Sequence, residues 1–313
     1  MAKRSPSQLN ILLALDKPVG CTSHDLVART RRTLGERRVG HAGTLDPLAS
    51  GVMVLGVGQA TRLLGRITQD TKAYLADIAF GYETCTDDAE GERTRAVQPA
   101  PGLWDPQAAA RALAGLVGPQ MQVPPAFSAI SVDGVRSYRR ARAGDAVELP
   151  ARPVEVLAAD LIAVTTVDGA PVWTVAFTVS KGTYIRALAR DLGRSLGAAA
   201  HLSGLRRTAS GSVGLARCLD PEALTPDAAR AAALDPVAVL DVPALPVPDE
   251  RLADILCGRR LSPSLLRDAT RPVGEGDTVA LVNGGELRAL ARIDAGRIAP
   301  ADVFPQGIGG VAL

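Results

Sequence analysis

Between Trp173 and Gly197 the spacing of apolar residues changes from two to nearly four. A chain that does this across one turn must run a strand directly into a helix. Trp173, Val175, Phe177 and Val179 alternate with Thr174, Ala176 and Thr178 in the pattern of a half-buried strand. Ser180-Lys181-Gly182 interrupts it, after which Ile185, Leu188, Ala189, Leu192 and Leu196 recur on one helical face closed by Gly197. Exposed amides at a helix start favour anions, so this junction is a natural place for a site. The same mixture of elements recurs elsewhere. Ile11 to Leu15 reads as a buried strand followed by the turn Asp16 to Gly20, and Thr22 and Asp25 have capping-box spacing ahead of Leu26, Val27, Thr30 and Leu34, with Gly35 at the end. Tyr74 to Phe80 alternates as a strand, and Asp105-Pro106 opens an Ala-rich helix that Gly118 closes.

A length of 313 residues suggests two domains or one large domain with an appendage. The four prolines between Asp235 and Pro248 place the boundary there, and Asp249 to about Pro305 has the short apolar runs and Gly-rich breaks of a small β-rich domain. A hydrophobic fraction of 47% with 22% charged residues excludes a disordered chain, a collagen and a bare coiled coil. The longest apolar runs, Ile11 to Leu15 and Val52 to Val57, fall far short of the ~20 residues of a spanning helix. Asp16 and Lys17 likewise cut the first run below the length of a signal-peptide core, so a cytoplasmic protein is expected. Cys21, Cys85, Cys218 and Cys257 are scattered without a Cys-x-x-Cys, which argues against a zinc site and a disulfide framework. The net charge of +2 does not announce a nucleic-acid binder, but only four of the 35 basic residues are lysines. Arginine is the better fork for phosphate and the better plate for a base, although a GC-rich genome produces the same bias.

The most unusual stretch is Gly40-His-Ala-Gly-Thr-Leu-Asp-Pro-Leu-Ala-Ser-Gly51, which runs into the apolar segment Val52 to Val57. Pro47 biases Asp46 toward an extended conformation between small residues. On the residues alone, Asp46 is either an Asp-Pro turn entering a buried strand or a carboxylate held for chemistry, and His41 is open in the same way. Arg29, Arg31 and Arg32 form the outer face of the first helix, as a solvated surface or as phosphate contacts. Arg136, Arg139, Arg140 and Arg142 surround Tyr138 in a segment, about 120–150, that is either an irregular excursion or a basic flap over a ligand. Thr84 to Asp88 reads as a turn.

These motifs resemble the bacterial tRNA pseudouridine-55 synthases, the TruB family. The likeness rests on LDKPVGCTSHDLV (Leu15 to Val27), GHAGTLDPLASG, KAYLADIAFGYETCTDDAEG (Lys72 to Gly91), VPPAFSAISVDG (Val123 to Gly134), SKGTYIRALARDLG (Ser180 to Gly193) and GLRR (Gly204 to Arg207), in that order. It departs at Ser131, where many relatives carry Lys, and at Cys85, where Asp is more usual. The resemblance implies an α+β pseudouridine synthase fold, with a large, mostly antiparallel mixed sheet flanked by helices and a small C-terminal β-rich PUA-like domain. It implies a catalytic domain over 1–240 that includes the flap, and an RNA-binding domain over 249–313.

By the same resemblance Asp46 takes the place of the catalytic aspartate, Tyr74 that of the active-site tyrosine, and Arg186 that of the arginine paired with the aspartate. Tyr184 and Leu205 fall on uridine-pocket positions, and His41 on the histidine that fills the space left by flipped bases. Lys17, Arg29, Arg32, Arg136, Arg139, Lys181, Arg206 and Arg207 are the candidate RNA contacts. The reaction implied is isomerisation of a T-loop uridine of tRNA, with no cofactor or metal, by a monomer that needs no protein partner and no membrane. The rival readings are a guide-RNA-directed synthase and a tRNA-binding folding chaperone. No candidate catalytic residue lies beyond Leu205, so removal of 249–313 is expected to weaken tRNA affinity more than the rate at saturation.

Overall fold

The structure, a computed structural model, describes residues 7–68, 71–128, 131–132, 135–136 and 149–312. The chain forms two compact units, one of Met1–Pro47, Gly51–Gln69 and Ser210–Leu313, the other of Leu48–Ser50 and Asp70–Ala209. Among the described residues no helix is long and apolar enough to cross a membrane.

The first unit opens with strand β1 (Ile11–Lys17), buried except for half-buried Asp16. Helix α1 (Ser23–Leu34) follows with the expected capping box: Thr22 Oγ1 accepts from the Asp25 N–H at 3.1 Å, and the Thr22 N–H donates to Asp25 Oδ2 at 2.9 Å. Asp25 in the first turn and Arg31 and Arg32 in the last both oppose the helix dipole. Strands β2 (Val39–Ala42) and β3 (Ala49–Val57) come next, and β3 pairs antiparallel with β1 from Ile11↔Val57 to Lys17↔Gly51 and with β2 from Val39↔Val57 to Ala42↔Val54. A short helix α2 (Leu64–Ile67) ends this segment.

The second unit is a sheet with helices against it. Its strands are β4 (Lys72–Phe80), β5 (Tyr82–Thr84), β6 (Arg93–Ala96), β7 (Gly118–Gln122), β8 (Ser131–Val132), β9 (Val135–Arg136), β10 (Arg152–Val167), β11 (Ala170–Val179) and β12 (Ala200–Ser210). Helix α3 (Pro106–Ala114) lies between β6 and β7, and α4 (Ile185–Ser195) between β11 and β12. The main sheet has the order β12-β4-β11-β10-β7, while β5 and β6, and β8 and β9, form separate hairpins. Ala76 and Ile78 stand opposite Val175 and Trp173, and they share one core with Phe177, Leu188 and Leu192. The expected strand-to-helix junction is therefore present, and α4 closes the core that β11 opens.

Two expectations shift by a few residues. Helix α3 ends at Ala114 with Gly115 as its cap, and Gly118, at φ 120°, instead opens β7. Leu196, expected inward, is 38% exposed, because α4 stops at Ser195 and Leu196 lies past the last helical residue.

A buried carboxylate ties α4 to the β5–β6 hairpin. Glu83 Oε1 accepts from Arg95 Nη1 at 2.7 Å, and Oε2 accepts from Arg194 Nη2 at 2.7 Å. The hydrogen bonds from Arg194, and then Arg95, hold the Glu83 carboxyl below the usual carboxylate range. A group with a lowered folded-state pKa stabilises the fold above its unfolded pKa of about 4.3, and the contribution disappears as pH falls through the folded value. Glu83→Gln is therefore expected to destabilise the protein at neutral pH by about 1 kcal/mol, a modest figure because both arginines are half-exposed. The deficit should shrink in acid, from about pH 4.3 downward, and vanish once pH has fallen through the lowered folded value. Denaturant midpoints of the two proteins at neutral and at acid pH check this, and an equal gap at both would refute it.

The chain returns to the first unit through β13 (Val213–Gly214), α5 (Pro226–Ala231) and α6 (Pro236–Leu240). It ends in β14 (Ala244–Pro246), helix α7 (Leu252–Leu256), β15 (Thr278–Asn283), β16 (Glu286–Asp294) and β17 (Arg297–Ile308), with sheet order β14-β15-β16-β17. The four-proline stretch is structured: Pro236 starts a helix capped by Asp235, and β14 tolerates Pro246 as an edge strand. The sheet is buried on both faces, which explains why Val279 to Val282 is continuously apolar. Val279 and Leu281 face a core with Leu245, Ile255 and Ile298. Ala280 and Val282, with Leu287, Leu290, Phe304 and Ile308, face a core that includes Leu12, Ala14, Val52, Val54 and Leu63.

Candidate active site

The loop that carries Asp46 is held by residues of both N-terminal motifs. Ser23, the first residue of α1, is 1% exposed, and its hydroxyl both donates to Leu45 O and accepts from the Leu45 N–H at 2.8 Å. On the other side of Asp46, Pro47 O accepts from the Gly20 N–H at 2.9 Å and from Lys17 Nζ at 3.5 Å. Both chain neighbours of Asp46 are thus fixed by backbone-directed bonds, and its carboxylate projects from a segment with little freedom. Gly20 and Gly43, at φ 87° and 88°, supply turns that a side chain would strain. Asp46 itself is half-buried. His41 lies on β2 opposite Leu55, half-buried, with its ring edge-on to that of exposed His24 at 5.7 Å.

In the second unit Tyr74 sits on β4 opposite Phe177, and Leu205 on β12. Both are half-buried against the same core, and so is Leu48, two residues along the chain from Asp46. Arg206 Nη1 donates to Ser50 Oγ at 3.2 Å. Tyr184 occupies the N-cap position of α4, and Arg186 lies in its first turn, 5% exposed. Arg186 Nη1 donates to Thr86 O at 2.8 Å, Nη2 donates to Phe127 O at 3.0 Å, and Asp88 Oδ2 lies 3.5 Å from Nη1. One turn on, Arg190 Nη1 donates to Asp87 Oδ2 at 2.8 Å and Nη2 to Val123 O at 2.9 Å. Burial pushes the Asp87 carboxyl up, against the pull of the Arg190 guanidinium.

The turn at Thr84 to Asp88 is therefore the carboxylate side of a buried polar network along α4. Composition in that segment shows the acids, but only the fold shows which arginines they meet. Ser23, Asp88 and Gln122 were not among the sequence candidates. Their one local signal was position, since each lies inside or directly beside a motif.

The candidate RNA contacts divide by exposure. Arg32 and Lys181 are exposed, Arg206 is half-buried, and Arg29 is paired with Glu222. Lys17 and Arg207 depart from the expectation of a phosphate contact: they are 0% and 1% exposed, and Lys17 Nζ donates to the carbonyls of Pro18 and Pro47. Lys17 is a brace of the Asp46 loop. Arg136 belongs to β9, and Arg139 lies outside the described residues, as does most of the expected flap.

A family model described as TruB family pseudouridylate synthase (N terminal domain) matches residues 31–185. The tRNA pseudouridine synthase B of Paenarthrobacter aurescens (strain TC1) is 44% identical over 305 residues, covering 96% of this chain and 96% of that protein. The protein of the same name from Corynebacterium aurimucosum is 44% identical over 278 residues, 88% of this chain and 93% of the relative. Among solved structures, a chain of a Cbf5-Nop10-Gar1 complex aligns over 95% of this chain and 84% of its own length, with a TM-score of 0.68 and 24% identity. An archaeal box H/ACA sRNP Nop10-Cbf5 complex gives 0.65 and 22%, over 96% and 88%. At these identities the likeness shows the fold: α+β, with a C-terminal sheet that fits a PUA-like domain.

Proposed function

This chain belongs to the TruB family of pseudouridylate synthases, and on that premise we propose that it converts the uridine at position 55, in the T loop of tRNA, to pseudouridine with Asp46 as its catalytic carboxylate. Isomerisation of a tRNA uridine is the family's reaction. The observation that carries the finer reading is the Asp46 loop, whose two flanking residues are tied down by Ser23, Gly20 and Lys17. A fixed carboxylate suits a reaction in which one group must meet one carbon of a held base.

The isomerisation breaks the N1 to C1′ bond, turns the detached uracil and joins C5 to C1′. C5 loses a proton and N1 gains one, so atoms balance without a cofactor. Asp46 acts as nucleophile toward C1′ or C6, or helps remove the C2′ proton. Tyr74 stacks on the uracil and serves as general base near C5 or C2′. Arg186 supplies positive charge, and Tyr184 and Leu205 line the uridine pocket. A T-loop base is inaccessible while stacked, so it is flipped out at a cost of a few kcal/mol, and His41 fills the gap.

Arg29, Arg32, Lys181 and Arg206, with Arg136 and Arg139 in the flap, meet the RNA. Residues 1–240 form the synthase domain and 249–313 an RNA-binding PUA-like domain. The enzyme acts in the cytoplasm as a monomer, with no obligatory protein partner. Chemical mapping of pseudouridine in T-arm RNA exposed to the pure protein tests this. Conversion at the T-loop uridine is the expected result; conversion only after a guide RNA is added would establish the guide-directed reading, and binding without conversion the chaperone reading.

A further inference from the structure

Tyr184 ends an extended turn and begins α4 as its N-cap residue, and its own side chain makes no capping bond. Its backbone is held from elsewhere. Gln122, the last residue of β7 and 2% exposed, accepts from the Tyr184 N–H through Oε1 at 2.8 Å and donates through Nε2 to Tyr184 O at 3.1 Å. Tyr184 O also accepts from the Leu188 N–H, the first bond of the helix, at 3.1 Å. A primary amide carries an N–H donor and a carbonyl acceptor side by side in one plane, so a single side chain pairs with both polar groups of one residue as a neighbouring strand would. The N–H of Tyr184 precedes the helical ladder and would otherwise need a cap or water. Gln122 is in turn fixed by the pairing of β7 with β10, where it stands opposite Arg152.

The residues that follow Gln122 continue this attachment. Val123 O accepts from Arg190 Nη2 and Phe127 O from Arg186 Nη2. Residues 122–127 are thus joined to successive turns of α4 at three points, and the first of them is on Tyr184. We propose that Gln122 is a positioning residue: its buried amide clamps the Tyr184 backbone from both sides and so sets where the first turn of α4 presents Tyr184 and Arg186. The proposal rests on the reading of those two residues as part of the uridine pocket. Gln122 does not touch substrate; it acts through the residue it holds.

The chemistry of the clamp dictates the variants. Gln122→Met keeps length and apolar packing but removes both bonds. Gln122→Glu keeps the acceptor, but when ionised it turns an oxygen toward Tyr184 O. When protonated it recovers a donor and an acceptor, and burial favours that neutral form. The experiment uses the full chain and tRNA, and compares Gln122→Met, Gln122→Glu and Tyr184→Ala with the native protein in single turnover. Binding and denaturant midpoints are measured alongside.

Gln122→Met is expected to lose about 10- to 100-fold in the saturating rate, the scale of a small misplacement of reacting groups, with tRNA affinity nearly unchanged. The rate of Gln122→Glu relative to native should rise as pH is lowered from about 8 to about 6, while that of Gln122→Met stays level. A purely structural role would tie the loss to the unfolded fraction and leave the rate of folded protein intact. The proposal is overturned if Tyr184→Ala is slow while both Gln122 variants turn over at the native rate, or if their losses follow unfolding alone. A native rate in Tyr184→Ala would instead overturn the pocket reading beneath it.

Discussion

Asp46→Asn is expected to reduce the single-turnover rate of uridine isomerisation by roughly 10⁴-fold or more, the scale reached when a reacting group is deleted. Its effect on tRNA affinity should stay within about threefold, because affinity for RNA is spread over many phosphate contacts. Asparagine has the shape of aspartate, so the loop is left as it was, with Leu45 on Ser23 and Pro47 on Gly20 and Lys17. What is lost is a negative charge able to attack carbon or take a proton. Asp46→Ala should be as inactive, which separates the charge from the side chain's bulk. Rate measurements and filter binding on the same tRNA decide the matter, and appreciable turnover by either variant would remove Asp46 from the chemistry.

Deletion of residues 249–313 is expected to cost the fold. The sequence suggests a separable RNA-binding appendage whose loss weakens affinity and spares the rate. The structure points the other way, since Ala280, Val282, Leu287, Leu290, Phe304 and Ile308 are each at most 3% exposed and share a core with Leu12, Ala14, Val52, Val54 and Leu63. Arg62 lies over the Phe304 ring at 5.0 Å, Arg62 and Arg66 pair with Asp302, and Gln59 bonds Gln306.

Uncovering a buried Val, Leu or Ile forfeits about 1.5–3 kcal/mol each. Loss of cover over several such residues approaches the ~5–15 kcal/mol by which a whole domain is stable. The strands that would be stripped are β1 and its partner β3, and β3 is the strand into which the Asp46 loop runs. The truncated chain should therefore lack a cooperative melt, or melt far below the intact protein, and be inactive for that reason. Calorimetry checks it, and a truncated chain with the native melting temperature and rate at saturation would show the appendage to be separable after all.

Local pattern was enough for much of this fold. The capping box at Thr22 and Asp25, the alternation of Trp173 to Val179 and the helical face from Ile185 to Leu192 each depend on residues within a few positions, and each formed as read. The motif order was enough for the family, because a dozen residues in fixed succession carry more information than any composition. Helix ends were less legible: Gly115 and Gly118 both lie where a helix could stop, and only the pairing of β7 with β10 selects between them.

Charge was the least legible property of all. Lys17 and Arg207 look like RNA contacts in the sequence and are buried, while Asp87 and Asp88 look like a surface turn and hold Arg190 and Arg186. A charged residue's partners are set by which strands and helices come together across a hundred residues, and its neighbours in the chain do not encode that. The same holds for Ser23 on the Asp46 loop and for Gln122 on Tyr184, whose bonds span 22 and 62 positions. Periodicity tells a strand from a helix because backbone geometry is local, whereas burial and pairing, which assign each polar side chain its task, exist only once the chain has closed on itself.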